Sequence, residues 1–238
     1  MATSQPAAQA TDRGPGLIAA PLIVIGGGDH ARVVIEAARS QTDGWSIQGY
    51  VAPEASPIDS AVPHLGDDAD LVRRLADLAP DEQPWLILGF GGGSNAEGLA
   101  DRLRTVDRYG PTARWATVVH AAAWVSPSAT VAPGVAIMAL AVVNTGASIG
   151  AHAIVNSGAI VEHDVELGVG CHLGPGAAVG GGTRIGAGTF VGLRASIRDH
   201  IEIGAGALVG MGAVVVDSVA GGSRVLGIPA RSGGTDPS

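Results

Sequence analysis

The stretch IGAHAIVNSGAIVEHDVELGVGCHLGPGAAVG, residues 149–180, repeats every six residues. Counted in sixes from Val119 to Val215, every first position is valine, isoleucine or leucine. The position four residues later is mostly alanine or another small residue. A period of six fits neither an α-helix nor a long strand that alternates its two faces. It fits a short strand followed by a turn, with two residues of each repeat pointing inward.

Three such repeats make one triangular coil of ~18 residues, and parallel strands stack from coil to coil. Residues 119–218 therefore predict a parallel β-solenoid of between five and six coils, above the roughly three repeats that a stable solenoid needs. Glycine often follows the aliphatic residue, and we expect it to relieve backbone crowding at the corners. The glycines at this position are Gly150, Gly168, Gly174, Gly180, Gly186, Gly192, Gly204 and Gly210.

The front of the chain alternates strand and helix patterns. The predicted strands are LIVIGGG (residues 22–28), WSIQGYV (45–51) and WLILGFGGG (85–93), and the predicted helices are HARVVIEAARS (30–40), DADLVRRLADL (68–78) and NAEGLADRLRTV (95–106). This alternation predicts a small α/β domain with a parallel sheet. We divide the chain into a flexible tail (1–20), an α/β domain (21–116), a β-helix domain (117–231) and a second flexible tail (232–238).

Composition limits the function classes. A net charge of -8 and a pI near 5.2, without any basic run, argue against a nucleic-acid surface. No apolar stretch approaches the ~20 residues that cross a bilayer. One cysteine excludes an internal disulfide and a four-cysteine zinc site. We expect a cytoplasmic protein whose partners are small molecules, with no nucleic acid and no membrane.

The turn Gly26-Gly27-Gly28-Asp29-His30-Ala31 satisfies G-x-G-x-x-A between a strand and a helix. A dinucleotide site would also need an acidic residue ~20 positions on, and the second strand closes without one. Small residues would still let helix N-terminal amides approach an anionic group. We favour a phosphate-containing ligand, and a purely structural tight turn is the alternative.

One polar cluster interrupts the solenoid repeats, and such breaks indicate functional sites. It comprises Asn156, Glu162, His163, Asp164 and His172. The register places His163 outward, between two inward valines, so it can reach a ligand. The same register points Cys171 inward, which predicts a core residue and not a catalytic nucleophile.

An imidazole with its ordinary pKa of ~6.5 can take a proton from an attacking nucleophile near neutral pH, so His163 is a candidate general base. A carboxylate beside the ring would orient it. Neighbouring side chains on a strand point to opposite faces, so only a turn could bring Asp164 or Glu162 against His163.

The GGGDHARVV segment and the N-x-G-x-x-x-E-H-D motif at 156–164 resemble the hexapeptide-repeat sugar O- and N-acyltransferase family. That family includes sialic acid O-acetyltransferase-like proteins and nucleotide-sugar N-acetyltransferases that act on UDP-amino sugars or GDP-perosamine. The resemblance implies a left-handed β-helix that assembles as a homotrimer. It also implies a nucleotide-linked amino sugar held by the α/β domain, with acetyl-CoA as co-substrate between neighbouring solenoids and no metal.

The resemblance also implies residue roles. His163 would be the general base, with Asp164 as the first and Glu162 as the second candidate for its orienting partner. Substrate binding would involve Gly26, Gly28, His30 and Asn156, and the acyl donor would contact His172, Gly181, Leu193 and Met211.

We therefore expect an acetyltransferase that acts on the amino group of a nucleotide-linked 4-amino-4,6-dideoxysugar, for surface polysaccharide or glycan synthesis. An O-acetyltransferase acting on a sugar hydroxyl is the main alternative. A zinc carbonic anhydrase using His152, His163 and His172, and a non-catalytic scaffold, are more remote. Asp29 replaces the family's last glycine, and the second and third strands end differently from the family pattern, so the nucleotide base and the sugar stay open.

Overall fold

A computed structural model describes residues 19–41, 44–92 and 96–232. Residues 1–18 and 233–238, which make up most of the two predicted tails, lie outside the described residues. The strand that opens the α/β domain begins at Ala20, and Ser232 belongs to the last strand. None of the helices in the described part of the chain is long and apolar enough to cross a bilayer.

The front domain is a four-stranded parallel sheet in the order β2-β1-β3-β4, with helices in its connections. This confirms the predicted α/β architecture. The third strand is shorter than predicted because its partner β1 ends at Ile25, opposite Leu88, and leaves nothing to pair with beyond that point. The elements are β1 Ala20–Ile25, α1 Asp29–Ser40, β2 Trp45–Val51, α2 Asp68–Ala76, β3 Trp85–Leu88, α3 Ala96–Tyr109 and β4 Arg114–Trp115.

The remainder is a left-handed parallel β-helix of about six coils, as predicted. Its short strands form three faces. The first face contains β5 Val118–Val119, β8 Ala136–Ile137, β11 Ile154–Val155, β14 His172–Leu173, β17 Phe190–Val191, β20 Leu208–Val209, β22 Arg224–Leu226 and the antiparallel β23 Arg231–Ser232. The second contains β6 Trp124–Val125, β9 Val142–Val143, β12 Ile160–Val161, β15 Ala178–Val179, β18 Ser196–Ile197 and β21 Val214–Val215. The third contains β7 Thr130–Val131, β10 Ser148–Ile149, β13 Glu166–Leu167, β16 Arg184–Ile185 and β19 Glu202–Ile203.

The solenoid core is a continuous stack of the aliphatic and small residues that the register predicts to point inward. Cys171 is among them and is fully buried, which confirms its inward position. Burial raises the pKa of its thiol to about 11, so the sulfur stays protonated and unreactive at neutral pH.

We number the corners by the faces they join: the first corner joins the first and second faces, the second joins the second and third, and the third joins the third and first. At every corner from Gly134 to Gly212, one residue has positive φ, and this residue is usually glycine. The glycines that follow the aliphatic residues have a different role from the one we expected. A Cβ on Gly150 would lie 2.6 Å from the backbone carbon of Gly168, so these glycines allow adjacent coils to stack closely.

The front domain packs on the first three coils of the first face. The outward residues Val118, Ala136 and Ile154 are buried there in one hydrophobic cluster with α1 and β1. The Ser40 hydroxyl at the end of α1 accepts a hydrogen bond from Ala121 N at 2.9 Å. The next outward residue along this face is His172, which therefore lies at the edge of the domain contact.

Candidate active site

The second corner carries a histidine–aspartate pair. His163 Nδ1 lies 3.0 Å from Asp164 Oδ2, and both side chains are more than half exposed. Asp164 has a left-handed backbone with φ of 57°, and this turn brings its side chain to the ring. Aspartate is one of the few non-glycine residues that tolerate this conformation. A carboxylate at Nδ1 fixes the tautomer that leaves Nε2 free to accept a proton.

Glycines one coil away on each side make room for this pair. A Cβ on Gly181 would lie 2.5 Å from His163 Nε2, and a Cβ on Gly146 would collide with the Asp164 carboxylate. Within the described residues, the Gly181 N–H has no hydrogen-bond acceptor. At the same corner of the two preceding coils, the residue before supplies one: Asn144 for Thr145 N and Glu162 for His163 N. A free backbone donor therefore lies beside the free ring nitrogen of His163.

Glu162 contacts the main chain of His163 and not its ring. Its Oε2 accepts hydrogen bonds from His163 N and from Asn144 Nδ2, both at 3.2 Å. This places the carboxylate where it supports the turn, whereas Asp164 holds the imidazole.

A second polar group lies on the first face, at the edge of the front domain. His172 is 8% exposed, and its Nδ1 lies 3.2 Å from Gly91 O while its Nε2 lies 3.3 Å from Asn156 Nδ2. Both hydrogen bonds form when His172 Nδ1–H donates to the Gly91 carbonyl and Nε2 accepts from the Asn156 side-chain amide. Burial lowers the pKa of His172 to about 4, so the ring is neutral at physiological pH.

The β1–α1 turn approaches this group. Gly26 has φ of 115°, and Gly28 precedes α1 as its N-cap, with open space where a Cβ would stand. His30, in the first turn of α1, has its ring centre 6.2 Å from that of His172. Burial, followed by the neighbouring His172 and Arg102, lowers the pKa of His30 to about 4. The helix N-terminus and both neutral imidazoles thus share one region.

A groove of about 390 Å³ continues from His172 along the first face toward the C-terminal end of the solenoid. It is lined mainly by apolar side chains, among them Phe190, Leu193 and Met211. Leu193 is 43% exposed and Met211 78%, so both are available to a ligand. This arrangement suits an extended, largely apolar chain that ends near the imidazole.

Within one chain, the predicted site residues form two groups. One group lies at or beside the second corner and comprises His163, Asp164, Glu162 and Gly181. The other lies on the first face or at the first corner and comprises Asn156, His172, Leu193 and Met211. The second corner is the one opposite the first face in the triangular coil. One chain therefore does not bring His163 and His172 to the same reacting atom.

The zinc alternative does not fit this geometry. The three histidines that it needs, His152, His163 and His172, lie at the third corner, the second corner and the first face. Among residues 19–41, 44–92 and 96–232, no group of three histidine, cysteine, aspartate or glutamate side chains could hold a metal ion.

Sequence reasoning missed two glycines that the site needs. Gly146 stands one coil before Asp164, so the six-residue register could have identified it. A Cβ on Gly91 would lie 2.8 Å from the His172 ring, but Gly91 follows β3 in the front domain, and no sequence spacing relates it to His172.

Solved structures match nearly the whole chain. A histidine-to-asparagine variant of perosamine N-acetyltransferase from Caulobacter crescentus, in complex with CoA and GDP-perosamine, is 34% identical, with 90% of this chain and 97% of that chain covered and a TM-score of 0.78. The acetyltransferase domain of PglB from Neisseria gonorrhoeae, in complex with acetyl coenzyme A, is 30% identical, with coverages of 90% and 99% and a TM-score of 0.80.

WeeI from Acinetobacter baumannii shares the fold, with 21% identity, coverages of 89% and 98% and a TM-score of 0.69. No protein-family model matches the sequence, and no curated protein is similar enough in sequence to count as a match.

The buried histidines predict acid sensitivity. The pKa values of His30, His152 and His172 are lowered to about 4, below the ordinary value of ~6.5, so the unfolded chain binds more protons between these values. The free energy of unfolding should be highest above pH ~6.5 and fall as the pH is lowered toward ~4. Urea unfolding across this range measures the slope.

The variant His152→Asn isolates one contribution, because asparagine tolerates the left-handed backbone of this corner. Its stability should depend less steeply on pH than that of the wild type. His200 is an exposed histidine whose backbone is also left-handed, so His200→Asn controls for the substitution itself. If the free energy of unfolding changed equally steeply with pH in His152→Asn and in the wild type, His152 would not contribute to the acid sensitivity.

Proposed function

The chain belongs to the family of hexapeptide-repeat sugar N-acetyltransferases, and on that premise we propose that it acetylates the amino group of a nucleotide-linked 4-amino-4,6-dideoxysugar. Acetyl-CoA supplies the acetyl thioester. The observation that carries the proposal is the His163–Asp164 pair, whose free Nε2 stands beside the unpaired N–H of Gly181.

These residues supply the three functions that amide formation needs. His163 Nε2 accepts the proton of the sugar amine as its nitrogen bonds to the thioester carbonyl carbon. Gly181 N–H donates to the carbonyl oxygen, on which negative charge develops. As the carbon–sulfur bond breaks, the imidazolium returns the proton to the thiolate, and Asp164 stabilises the charged ring in between.

The groove on the first face suits the acyl donor. Its apolar lining by Phe190, Leu193 and Met211 fits the pantetheine arm, and His172 stands at its end. Because His172 is neutral and donates Nδ1–H to Gly91, its Nε2 and the Asn156 amide are the groups that face the thioester. The β1–α1 turn, with Gly26, Gly28 and His30, would hold the phosphates and the sugar of the acceptor.

We infer that the complete site forms between two copies of the chain. The base lies at the second corner and the thioester groove lies on the opposite first face, so the second corner of one subunit must meet the first face of its neighbour. An interface that joins two different patches forms a ring when its rotation closes, and the proposed homotrimer is the smallest ring that such an interface can form.

The second face supports this interface. Its outward row includes Trp124, Val142 and Ile160, and Trp124 is 58% exposed in the single chain. An apolar row of this kind, directly beside the second corner, is a surface that association would remove from water.

The product would serve surface polysaccharide or glycan synthesis, and we place the reaction in the cytoplasm, where acetyl-CoA and nucleotide sugars are made.

The activity is tested by thiol release from acetyl-CoA over a panel of GDP-, UDP- and dTDP-linked amino sugars. We expect turnover with a 4-amino sugar, and a GDP-linked one is tested first because the 34% identical relative was solved with GDP-perosamine. His163→Ala should lower kcat by about 10²–10⁴-fold, and Asp164→Asn should lower it less.

His120→Asn is the matched control, because asparagine can keep the acceptor for Ala122 N in the first coil. It should retain wild-type turnover. Turnover only on a free sugar hydroxyl would replace the N-acetyl proposal by the O-acetyl alternative, and full activity in His163→Ala would remove the assigned base.

The shared site is tested by complementation. His163→Ala and His172→Ala should each be inactive alone. Co-expression in equal amounts should restore about a quarter of wild-type activity over all trimers, because each mixed trimer combines an intact His163 with an intact His172 of the neighbour at one of its three sites. No recovery in trimers shown by mass to be mixed would place both histidines in one subunit's site.

A further inference from the structure

Arg102 is a buried cation for which the acetyl transfer described above has no use. It lies in α3, is 1% exposed and, among the described residues, forms no ion pair with a carboxylate. Burial lowers the pKa of its guanidinium to about 10, so it remains charged at neutral pH. A buried charge without a counter-ion lowers stability, and such a residue usually has a functional reason to persist.

The guanidinium joins three parts of the molecule. Its Nε donates to Phe90 O at 2.9 Å, in the loop that follows β3. Its Nη1 donates to His152 O, at the third corner of the solenoid. Arg102 thus connects α3, the segment Gly89–Gly92 and the β-helix.

The segment Gly89–Gly92 contacts both proposed substrate sites. The Phe90 ring lies 3.1 Å from the position that a Cβ on Gly26 would occupy, so it packs on the β1–α1 turn. The next residue, Gly91, provides the carbonyl that faces His172 Nδ1. Because Arg102 holds the Phe90 carbonyl, it sets the position of the Gly91 carbonyl one peptide further on.

We propose that Arg102 is a positioning residue, which holds the Gly89–Gly92 segment so that Gly91 keeps His172 in its Nδ1–H tautomer with Nε2 toward the acyl donor. This inference rests on the proposed function for its catalytic consequence, but not for the tautomer itself. The planar fork of arginine can donate to two carbonyls on different elements, whereas a lysine ammonium on a flexible stem does not fix both directions.

The charge of Arg102 also acts on His172: burial and the guanidinium lower the pKa of the ring, whereas the hydrogen bond to the Gly91 carbonyl raises it. The charge of Arg102 also contributes to the lowered pKa of His152 and His30, for which burial is the largest cause, and it lowers the pKa of the buried Cys171 thiol against the effect of burial. A neutral His172 can accept at Nε2, whereas an imidazolium cannot.

The test compares Arg102→Lys and Arg102→Met with the wild type in the full-length protein. Nitrogen-15 NMR of the histidine side chains, assigned with His172→Gln, reports the His172 tautomer without any turnover. We expect both variants to lose the fixed Nδ1–H signature, and kcat to fall by about 10–100-fold, less in Arg102→Lys, because small displacements of a reacting group are costly.

Arg104→Met is the matched control, since Arg104 lies on the same helix but is exposed and paired with Asp101. It should leave both the tautomer and kcat unchanged. Folded Arg102 variants with a wild-type His172 spectrum would overturn the proposal, and loss of folding in both would assign Arg102 to domain docking alone. A wild type that releases no thiol would instead reject the proposed function, while the NMR result would still decide the role of Arg102.

Discussion

The inward register of the six-residue repeat is the constraint on which the rest of the structure depends. Each repeat must send two residues into the core, an aliphatic one and a second one that is usually small. Around His163 these residues are Val161 and Val165. Only the outward strand residue and the corner residues remain free to carry chemistry. The proposed general base, His163, occupies a corner and His172 an outward strand position, so the register separates them and makes a second subunit part of the proposed site.

The left-handed corner is the second structural feature that the chemistry uses. At most corners glycine takes this conformation, but at the corner of the proposed base it is Asp164. A non-glycine residue there costs about 1–2 kcal/mol. In return the turn places a carboxylate against the neighbouring imidazole, which a straight strand could not do. Gly146 and Gly181, one coil away on either side, give the two side chains their space.

Much of this could be predicted from the sequence because the solenoid is periodic. The register identified the core, the inward Cys171 and the outward His163, and the alternation of strand and helix patterns identified the α/β domain in front. Contacts between the domains could not be predicted, since they depend on how α1 and α3 dock on the first face. For that reason no sequence pattern pointed to Gly91 and Arg102, which lie far from His172 in sequence. The end of β3 was predicted too late for a different reason, because it is set by the end of its partner β1.

The central claim is that neighbouring subunits each supply half of the acetyl-transfer site. An experimental structure of the assembled protein with CoA and a nucleotide-linked amino sugar tests it most directly. We predict a trimer in which the CoA sulfur lies against His172 of one subunit, with the sugar amine within about 3 Å of His163 Nε2 from the neighbour. An amine bound next to the His163 of the subunit whose His172 faces the sulfur, or far from any His163, would contradict the account.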